Sequence, residues 1–499
     1  MTLEKTIFSE HLQNFERTLK HLFREKYDID KLSLERGLPK DLLKGIMDMQ
    51  PLSVAIPEAY DGRGSQVKEC LGILAAASYE SLPLSLTFGI NIALFLEPIA
   101  KYGDESIKKG VFDRFLFQQN MGGLMITEPD YGSDALNMKT TNEVIDGGYH
   151  IKGVKHWQGL TGMADYWLIA SRAKNSDGNL GRDIDFFLCD VTAPGQHINV
   201  TELYDNAGLY MIPYGRNELD IKVPEEYRLI PESTGIKMML DILHRSRMQF
   251  PGMGMGFIKR MLDEAMLHCQ NRVVGSSNLL ALDNVQFQLS RIQAAYTICS
   301  GMCLRSSKIS GIEHNLATEG MEANTMKAVV TDLMQESAHA LVQLSGAKGY
   351  RISNIGGRGI MDSRPFQIFE GSNEMLYAQI SEMVTRLMKK QKQSNLFDFL
   401  KGFEPTSDGV DYFKSDLSFN LNDNLPQRKQ VELGRIIARV ICTGYVLALQ
   451  EKGFNKALAE SCIVMIRQEI ASLSCALKFD NTVQVVSNYA ADSSWLNFA

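Results

Sequence analysis

Apolar residues follow helical spacing over roughly the first 118 positions, alternate with polar ones from about 121 to 230, and return to helical spacing from about 231. In the first block Phe8, Leu12, Phe15, Leu19 and Phe23 recur three and four residues apart, which draws one apolar stripe along a helix. Val54-Ala-Ile-Pro-Glu-Ala-Tyr-Asp-Gly62 interrupts that pattern with Pro and Gly. Residues 85–100 are the most apolar early stretch. They are too short for a membrane span and are broken by Asn91 and Glu97-Pro98, so they predict a buried helix. In the second block residues 149–154 follow an Asp-Gly-Gly turn, and 165–171, 184–191 and 217–223 read as further strands. Short strands separated by turns predict a compact antiparallel barrel or sandwich.

The third block holds periodic segments at 284–309, 321–344 and 375–388. With the stretch around Phe257, Met261, Leu262 and Met266 they predict a four-helix bundle. Gly252-Met-Gly-Met-Gly256 has the look of a dinucleotide loop, but no strand precedes it, and the helical pattern runs straight on. Close helix packing explains these glycines better. Residues 389–394 read as a polar linker and 401–428 as turn-rich. Beyond them, Leu433, Ile436, Ile437, Val440 and Ile441 form one helix face, and Leu458, Cys462, Met465, Ile466, Ile470, Leu473 and Leu477 another. An αα-hairpin packed on the body is the expectation, with a partner-docking surface as the alternative. The fold class is therefore α+β, mainly α: a helical domain at 1–120, a β domain at 121–230, a helical bundle at 231–392 and a helical extension at 393–499.

Charge and cysteine usage narrow the function classes. The formal net charge is −7 and no Lys/Arg-rich run is present, which argues against a nucleic-acid partner. The eight cysteines are scattered, with neither metal-ligand spacing nor a disulfide framework, and Cys299 and Cys303 read as core filling. The start, Met1-Thr-Leu-Glu-Lys5, lacks the apolar core of a signal peptide. A cytoplasmic protein with no transmembrane segment and no metal site is the expectation.

The chemistry centres on Gln367-Ile-Phe-Glu-Gly-Ser-Asn-Glu374. Glu370 lies between an apolar pair, Ile368 and Phe369, and a Gly-Ser turn after which helical spacing resumes. A carboxylate so flanked is partly desolvated, which raises its pKa and suits it to proton abstraction. Gly371, without a Cβ, lets a ligand or another backbone come close. Taken alone, a Glu at a loop-to-helix junction more often only complements the helix dipole.

Three ordered motifs change that weighting. Leu124-Met-Ile-Thr-Glu-Pro-Asp-Tyr-Gly-Ser-Asp134 resembles the flavin-facing signature of the acyl-CoA dehydrogenases, and Phe369-Glu-Gly-Ser-Asn-Glu374 resembles their catalytic-base motif. Gln343-Leu-Ser-Gly-Ala-Lys-Gly349 resembles their Gln-x-x-Gly-x-x-Gly element, at the family distance upstream of the base. The resemblance covers roughly residues 50 to 390. It extends to Tyr102-Gly-Asp-Glu-Ser-Ile-Lys108, similar to a helix connection of the family.

The resemblance implies FAD-dependent α,β-dehydrogenation of an acyl thioester, with Glu370 taking the α-proton while the β-hydrogen leaves as hydride to flavin N5. It also implies a place in fatty acid metabolism and an acceptor such as an electron-transfer flavoprotein. By the same resemblance Thr127, Ser133, Trp157, Gln158 and Gly159 meet the flavin, and Arg272 its pyrophosphate. Gln343 and Gly346 reach the adenosine half from a neighbouring subunit, and Ser372 and Glu374 touch its adenine side. The shared site implies a homodimer or homotetramer. Ser133, Arg247 and Gly371 fall at substrate positions, although a solvated helix-face arginine is the other reading of Arg247. Whether the acyl group arrives on coenzyme A or on an acyl carrier protein stays open.

Departures from the family pattern stand out. Gly159 replaces a hydroxyl residue expected near flavin N5. Val273-Val-Gly-Ser276 replaces a run carrying an aromatic, and Tyr377 stands where an Arg is common. They keep two alternatives open: a flavin oxidase or monooxygenase, and a degenerate non-catalytic assembly protein.

Overall fold

The computed structural model describes residues 7–422, 424–479 and 483–499. The first six residues, on which the reading of the N-terminus rests, lie outside them. The principal N-terminal helices are α1 (Phe8–His21), α2 (Val67–Glu80), α3 (Leu82–Tyr102) and α4 (Glu105–Phe117). The apolar stripe of α1 faces inward as its spacing predicts: Phe15 and Leu19 are fully buried, and Phe23 follows them into the core. Helix α3 is long and apolar enough to cross a membrane by composition, yet protein surrounds it, and a π-helical turn at Ile92–Leu96 carries it past Asn91. Asp104 caps α4 by accepting the Ser106 N–H at 2.9 Å.

The middle of the chain forms one seven-stranded sheet from β1 (Gly122–Met125), β2 (Thr141–Ile145), β3 (Gly148–His156), β4 (Tyr166–Ala173), β5 (Asp185–Asp190), β6 (Asn199–Leu203) and β7 (Gly215–Pro224). The order is β1-β4-β2-β3-β7-β6, with β5 also on β4. All four strands expected from period-two alternation are present, but the sheet is mixed. β4 runs parallel to β1 and β2, and only the β2–β3, β3–β7, β6–β7 and β4–β5 pairs are antiparallel. Alternation reports which face of a strand is buried and carries no information on its direction. That is why an antiparallel barrel looked sufficient.

The bundle is built on α5 (Gly235–Asn271), α6 (Asp283–Ile309), α7 (Gly320–Ser345) and α8 (Asn373–Gln391). The glycine run of α5 is a packing device: a Cβ at Gly256 would sit 1.9 Å from the Ala75 carbonyl oxygen, and one at Gly254 2.2 Å from Val330 Cγ2. Helix α5 thereby lies against α2 and α7 at backbone distance.

The extension is a helical hairpin, α9 (Gln427–Glu451) and α10 (Lys456–Lys478), seated on α6 and α8. Its contact is close. A Cβ at Gly434 would fall 1.9 Å from the Tyr377 carbonyl oxygen, and one at Gly301 2.9 Å from that of Tyr445. Arg439 is carried into this interface and paired to Glu469 at 2.8 Å. Two sequence expectations need correction. Half of the stretch expected to be a polar linker continues α8, which ends at Gln391 with Lys392 in a left-handed conformation. The turn-rich segment also holds short helices, Glu404–Ser407 and Lys414–Leu417, and buries Val410, Phe413 and Leu417. Four-residue helices are too short to display a periodic face.

Candidate active site

A short 3₁₀ turn, Arg364–Gln367, delivers the chain to Glu370 and Gly371, which hold consecutive positive φ values of 53° and 95° before α8 begins. Left-handed backbone costs a non-glycine residue about 1–2 kcal/mol, and such strain collects at functional sites. Gly371 suits its place doubly, since a Cβ there would also come within 3.0 Å of Leu376 Cδ2 and Met375 Cε. Ser372 then caps α8 by accepting the Met375 N–H. Phe369 packs its ring 5.0 Å from Phe366 and closes one side of the turn.

The Glu370 carboxylate is enclosed. Oε1 accepts a hydrogen bond from Ser246 Oγ at 3.0 Å, while Oε2 is buried with no protein partner. Burial raises the pKa of Glu370, opposed by Arg247, the Ser246 hydrogen bond and Lys327. A buried carboxylate with one oxygen held and the other without a protein partner is equipped to accept a proton.

Two buried cations hold the turn. Arg247 Nη2 donates to the Glu370 carbonyl at 2.7 Å, and its Nη1 to Asn324 Oδ1 at 2.8 Å. Lys327, fully buried in α7, donates from Nζ to the Gly371 carbonyl at 2.7 Å and to Asn373 Oδ1 at 2.9 Å. Asn373 in turn donates to Asp332, which also accepts from Gln367 and from the Tyr377 hydroxyl. Tyr377 thus satisfies Asp332 with a neutral donor. Arg247 is no solvated helix-face residue: its side chain is buried and points at the base turn.

The rim of the sheet faces this turn. Trp157, at the end of β3, has a positive φ of 59°, leaves about half its surface exposed, and stands 4.5 Å from the Tyr204 ring and 6.2 Å from that of Tyr214. Burial, with the Glu370 charge nearby, raises the Tyr214 phenol well above its usual range, which ties the rim to the base turn electrostatically. The Thr127 carbonyl accepts from the His156 N–H at 3.0 Å and from Gln158 Nε2 at 3.1 Å. Gln158 is therefore turned inward, bracing Thr127 rather than offering its amide to a ligand. Beneath them Lys155, drawn by burial down to about 8, pairs with Glu128 at 3.0 Å and donates to the Ile126 carbonyl. Gly159 also has a packing reason: a Cβ would lie 2.8 Å from Ile90 Cδ1, 3.3 Å from Ile212 Cγ2 and 3.4 Å from Tyr214 Cε1.

Of the remaining sequence candidates, Arg272, Gln343 and Gly346 lie far along the helices from the residues that hold the base turn. Ser133 is exposed on the loop after β1, and Glu374 is exposed on the first turn of α8. Arg272 follows α5, twenty-five residues beyond Arg247, or about 37 Å at 1.5 Å per residue. Gln343 lies sixteen residues beyond Lys327 on α7, about 24 Å away, with Gly346 just past the helix end. Both ends are exposed, as are the nearby Val273, Val274, Tyr350 and Ile352. Sequence reading missed Ser246, Lys327, Asn324, Tyr204 and Tyr214. Lys327 had a visible signal: it is a charged residue inside an otherwise apolar helical run, Met326 to Val330.

Sequence-family models described as the N-terminal, middle and C-terminal domains of acyl-CoA dehydrogenase match residues 9–116, 123–221 and 233–385. An acyl-CoA dehydrogenase of Bacillus subtilis is 24% identical over 350 residues, covering 69% of this chain and 89% of its own. The butyryl-CoA dehydrogenase structure from Megasphaera elsdenii superposes with a TM-score of 0.66 at 21% identity, over 77% of this chain and 99% of that one. A Bacillus anthracis acyl-CoA dehydrogenase structure complexed with FAD reaches a TM-score of 0.72 at 17% identity, over 96% of this chain and 93% of that one. That coverage includes most of the C-terminal extension.

Proposed function

We propose that this chain, which belongs to the acyl-CoA dehydrogenase family, catalyses FAD-dependent α,β-dehydrogenation of an acyl thioester, with Glu370 as the base. The observation that carries the reading is the Glu370 carboxylate, with Oε1 anchored by Ser246 and Oε2 enclosed and unpartnered. An α-proton presented to Oε2 meets a base that is already oriented and desolvated, so little reorganisation is left for the reaction step. Arg247 and Lys327 fix the backbone that carries this carboxylate, and the Glu370 N–H is the donor that would polarise a thioester carbonyl.

The rim residues fit a flat heteroaromatic ring. Trp157 offers a half-exposed indole face, held by its N–H to the Gly215 carbonyl, and the Thr127 segment is fixed by the Glu128–Lys155 pair below it. Trp157 and the Thr127 segment would hold FAD, which would supply the hydride acceptor, and its electrons would pass to an electron-transfer flavoprotein or similar acceptor. Gly159 has no hydroxyl to offer that ring, so the hydrogen bond a hydroxyl residue would make there is lost or comes from backbone. The distance of Arg272, Gln343 and Gly346 from Glu370 supports a homodimer, in which these groups complete the cofactor site of the neighbouring subunit.

The test is a panel of acyl-coenzyme A thioesters of graded chain length, assayed against an artificial electron acceptor with purified flavin-loaded protein. Turnover of at least one thioester is expected. No turnover of any, with flavin bound, would remove this reading. Oxygen consumption without the artificial acceptor would favour an oxidase on the same fold.

A further inference from the structure

Helix α7 carries its one lysine of the 320–333 stretch into the protein interior. Lys327 has no exposed surface, and both neighbours along the helix, Met326 and Ala328, are buried as well. Burying an ammonium costs several kcal/mol unless it is hydrogen-bonded and paired. Its partners show what it is kept for. Nζ donates to the Gly371 carbonyl at 2.7 Å and to Asn373 Oδ1 at 2.9 Å, so both bonds go to the turn that presents Glu370. The carbonyl one residue earlier, that of Glu370, is taken by Arg247 at 2.7 Å. Two successive carbonyls of the only consecutive left-handed pair at this turn are thereby each held by a different buried cation.

We propose that Lys327 is a positioning residue for the base: it fixes the Glu370–Gly371 turn through its two hydrogen bonds and eases the ionisation of Glu370 through its charge. The assignment rests on Glu370 being the proton acceptor. The two effects are separable. The hydrogen bonds set where the carboxylate stands, and displacements of about 1 Å in a reacting group cost roughly 100-fold in rate. The charge sets how readily it ionises, because an opposite charge within a few ångströms favours the carboxylate. Glu370 from the base turn, Arg247 from α5, Asp332 from α7 and Glu374 from α8 are the charged groups that face Lys327. Burial draws Lys327 down to about 7, with Glu370 acting to raise it and Arg247 to lower it. Below that pH the ammonium carries its charge, so Glu370 ionises beside a cation. Above it the amine still donates hydrogen bonds, and the geometry persists while the electrostatic help fades.

The experiment uses the flavin-loaded full chain and three variants, Lys327→Met, Lys327→Gln and Lys327→Arg. Infrared difference spectra over roughly pH 4 to 9 follow the carboxyl band of Glu370, assigned by its loss in Glu370→Gln. In Lys327→Met the Glu370 titration should move up by about one pH unit. Flavin reduction by a competent acyl-coenzyme A should fall about 10- to 100-fold, with KM nearly unchanged. Lys327→Gln keeps a donor for the Gly371 carbonyl without the charge, so it should shift the titration as far while losing less rate. Lys327→Arg keeps the charge and should leave the titration in place. If Lys327→Met does not fold, Lys327→Gln carries the same titration test. A Glu370 titration unmoved in the uncharged variants, together with a wild-type reduction rate, overturns the proposal. Failure of every thioester to reduce wild-type flavin would instead sink the dehydrogenase reading. The infrared titration needs no turnover and would still support or overturn the charge effect.

Discussion

Replacing Glu370 with Gln isolates basicity from shape. The amide oxygen can still accept from Ser246 Oγ at the 3.0 Å position of Oε1, while the amide nitrogen takes the place of Oε2, where no protein acceptor waits. An unsatisfied buried donor costs about 1–3 kcal/mol, and removing a desolvated charge gives some of that back. Arg247 and Lys327 keep their bonds to the Glu370 and Gly371 carbonyls, because both are backbone contacts. The fold and the flavin site should therefore survive, with a shift of a few degrees in thermal midpoint at most. Catalysis should not. General-base contributions are worth about 10²–10⁴-fold, or roughly 2.7–5.4 kcal/mol in the barrier. Glu370→Asp retains the charge but draws it back by one methylene, about 1.5 Å, beyond the reach of Ser246, and should fall in between. The assay is anaerobic stopped-flow bleaching of the oxidised flavin band with the best thioester of the panel. A Gln variant that holds flavin and bleaches within about tenfold of wild type would show that another group takes the proton.

Other consequences follow from single contacts. Gly159→Ser should crowd Ile90 Cδ1, 2.8 Å from the new Cβ, and lower stability by about 1–3 kcal/mol, with Ile90→Val restoring part of it in a thermal melt. Gly434→Ala forces a Cβ to within 1.9 Å of the Tyr377 carbonyl and should loosen the hairpin from α8, read as a lower midpoint and faster proteolysis near residue 392. Glu97, buried with Gln249 as partner, is raised by burial to about 7. An acid whose folded pKa lies above its unfolded one stabilises the fold below the unfolded value and loses that contribution as pH rises through the folded one. Wild type should thus weaken relative to Glu97→Gln between about pH 4.5 and 7, by at most about 3 kcal/mol in denaturant melts. Light scattering of flavin-loaded protein should report a dimer or larger, and an active flavin-loaded monomer would contradict the shared cofactor site.

The architecture was legible where one face of an element is buried and the element is long. The stripe of α1, the bundle helices and both arms of the hairpin all show the 3.6-residue spacing, and they pack as that spacing requires. The glycines of α5 were readable too, because no strand precedes them. Strand direction was not readable, since period-two alternation is the same for a parallel and an antiparallel neighbour, and β4 has both. Nor were the short helices of the extension, whose four residues give no stripe to see.

The candidate site divides along a different line. Glu370 and Gly371 were singled out from local sequence, an apolar flank and a turn, whereas Trp157 was singled out only by its place in the family pattern. What makes Glu370 usable is not local. Ser246 and Arg247 come from α5 and Lys327 from α7, separated from Glu370 by 124, 123 and 43 residues respectively, and only the packing of α5 on α7 unites them. Sequence spacing carries no record of which helices will meet. The same logic explains Gln158, whose position reads as ligand-facing but whose amide is spent on the Thr127 carbonyl and on Asn217 Nδ2 at 3.3 Å. A polar side chain beside a site either meets the ligand or satisfies the backbone that does, and burial decides which. By that criterion the buried Arg247, Lys327 and Gln158, each bonded to a backbone carbonyl, support the site. The half-exposed Trp157 and the Glu370 Oε2, buried but without a protein partner, are the groups left for a cofactor and a substrate in the proposed reaction.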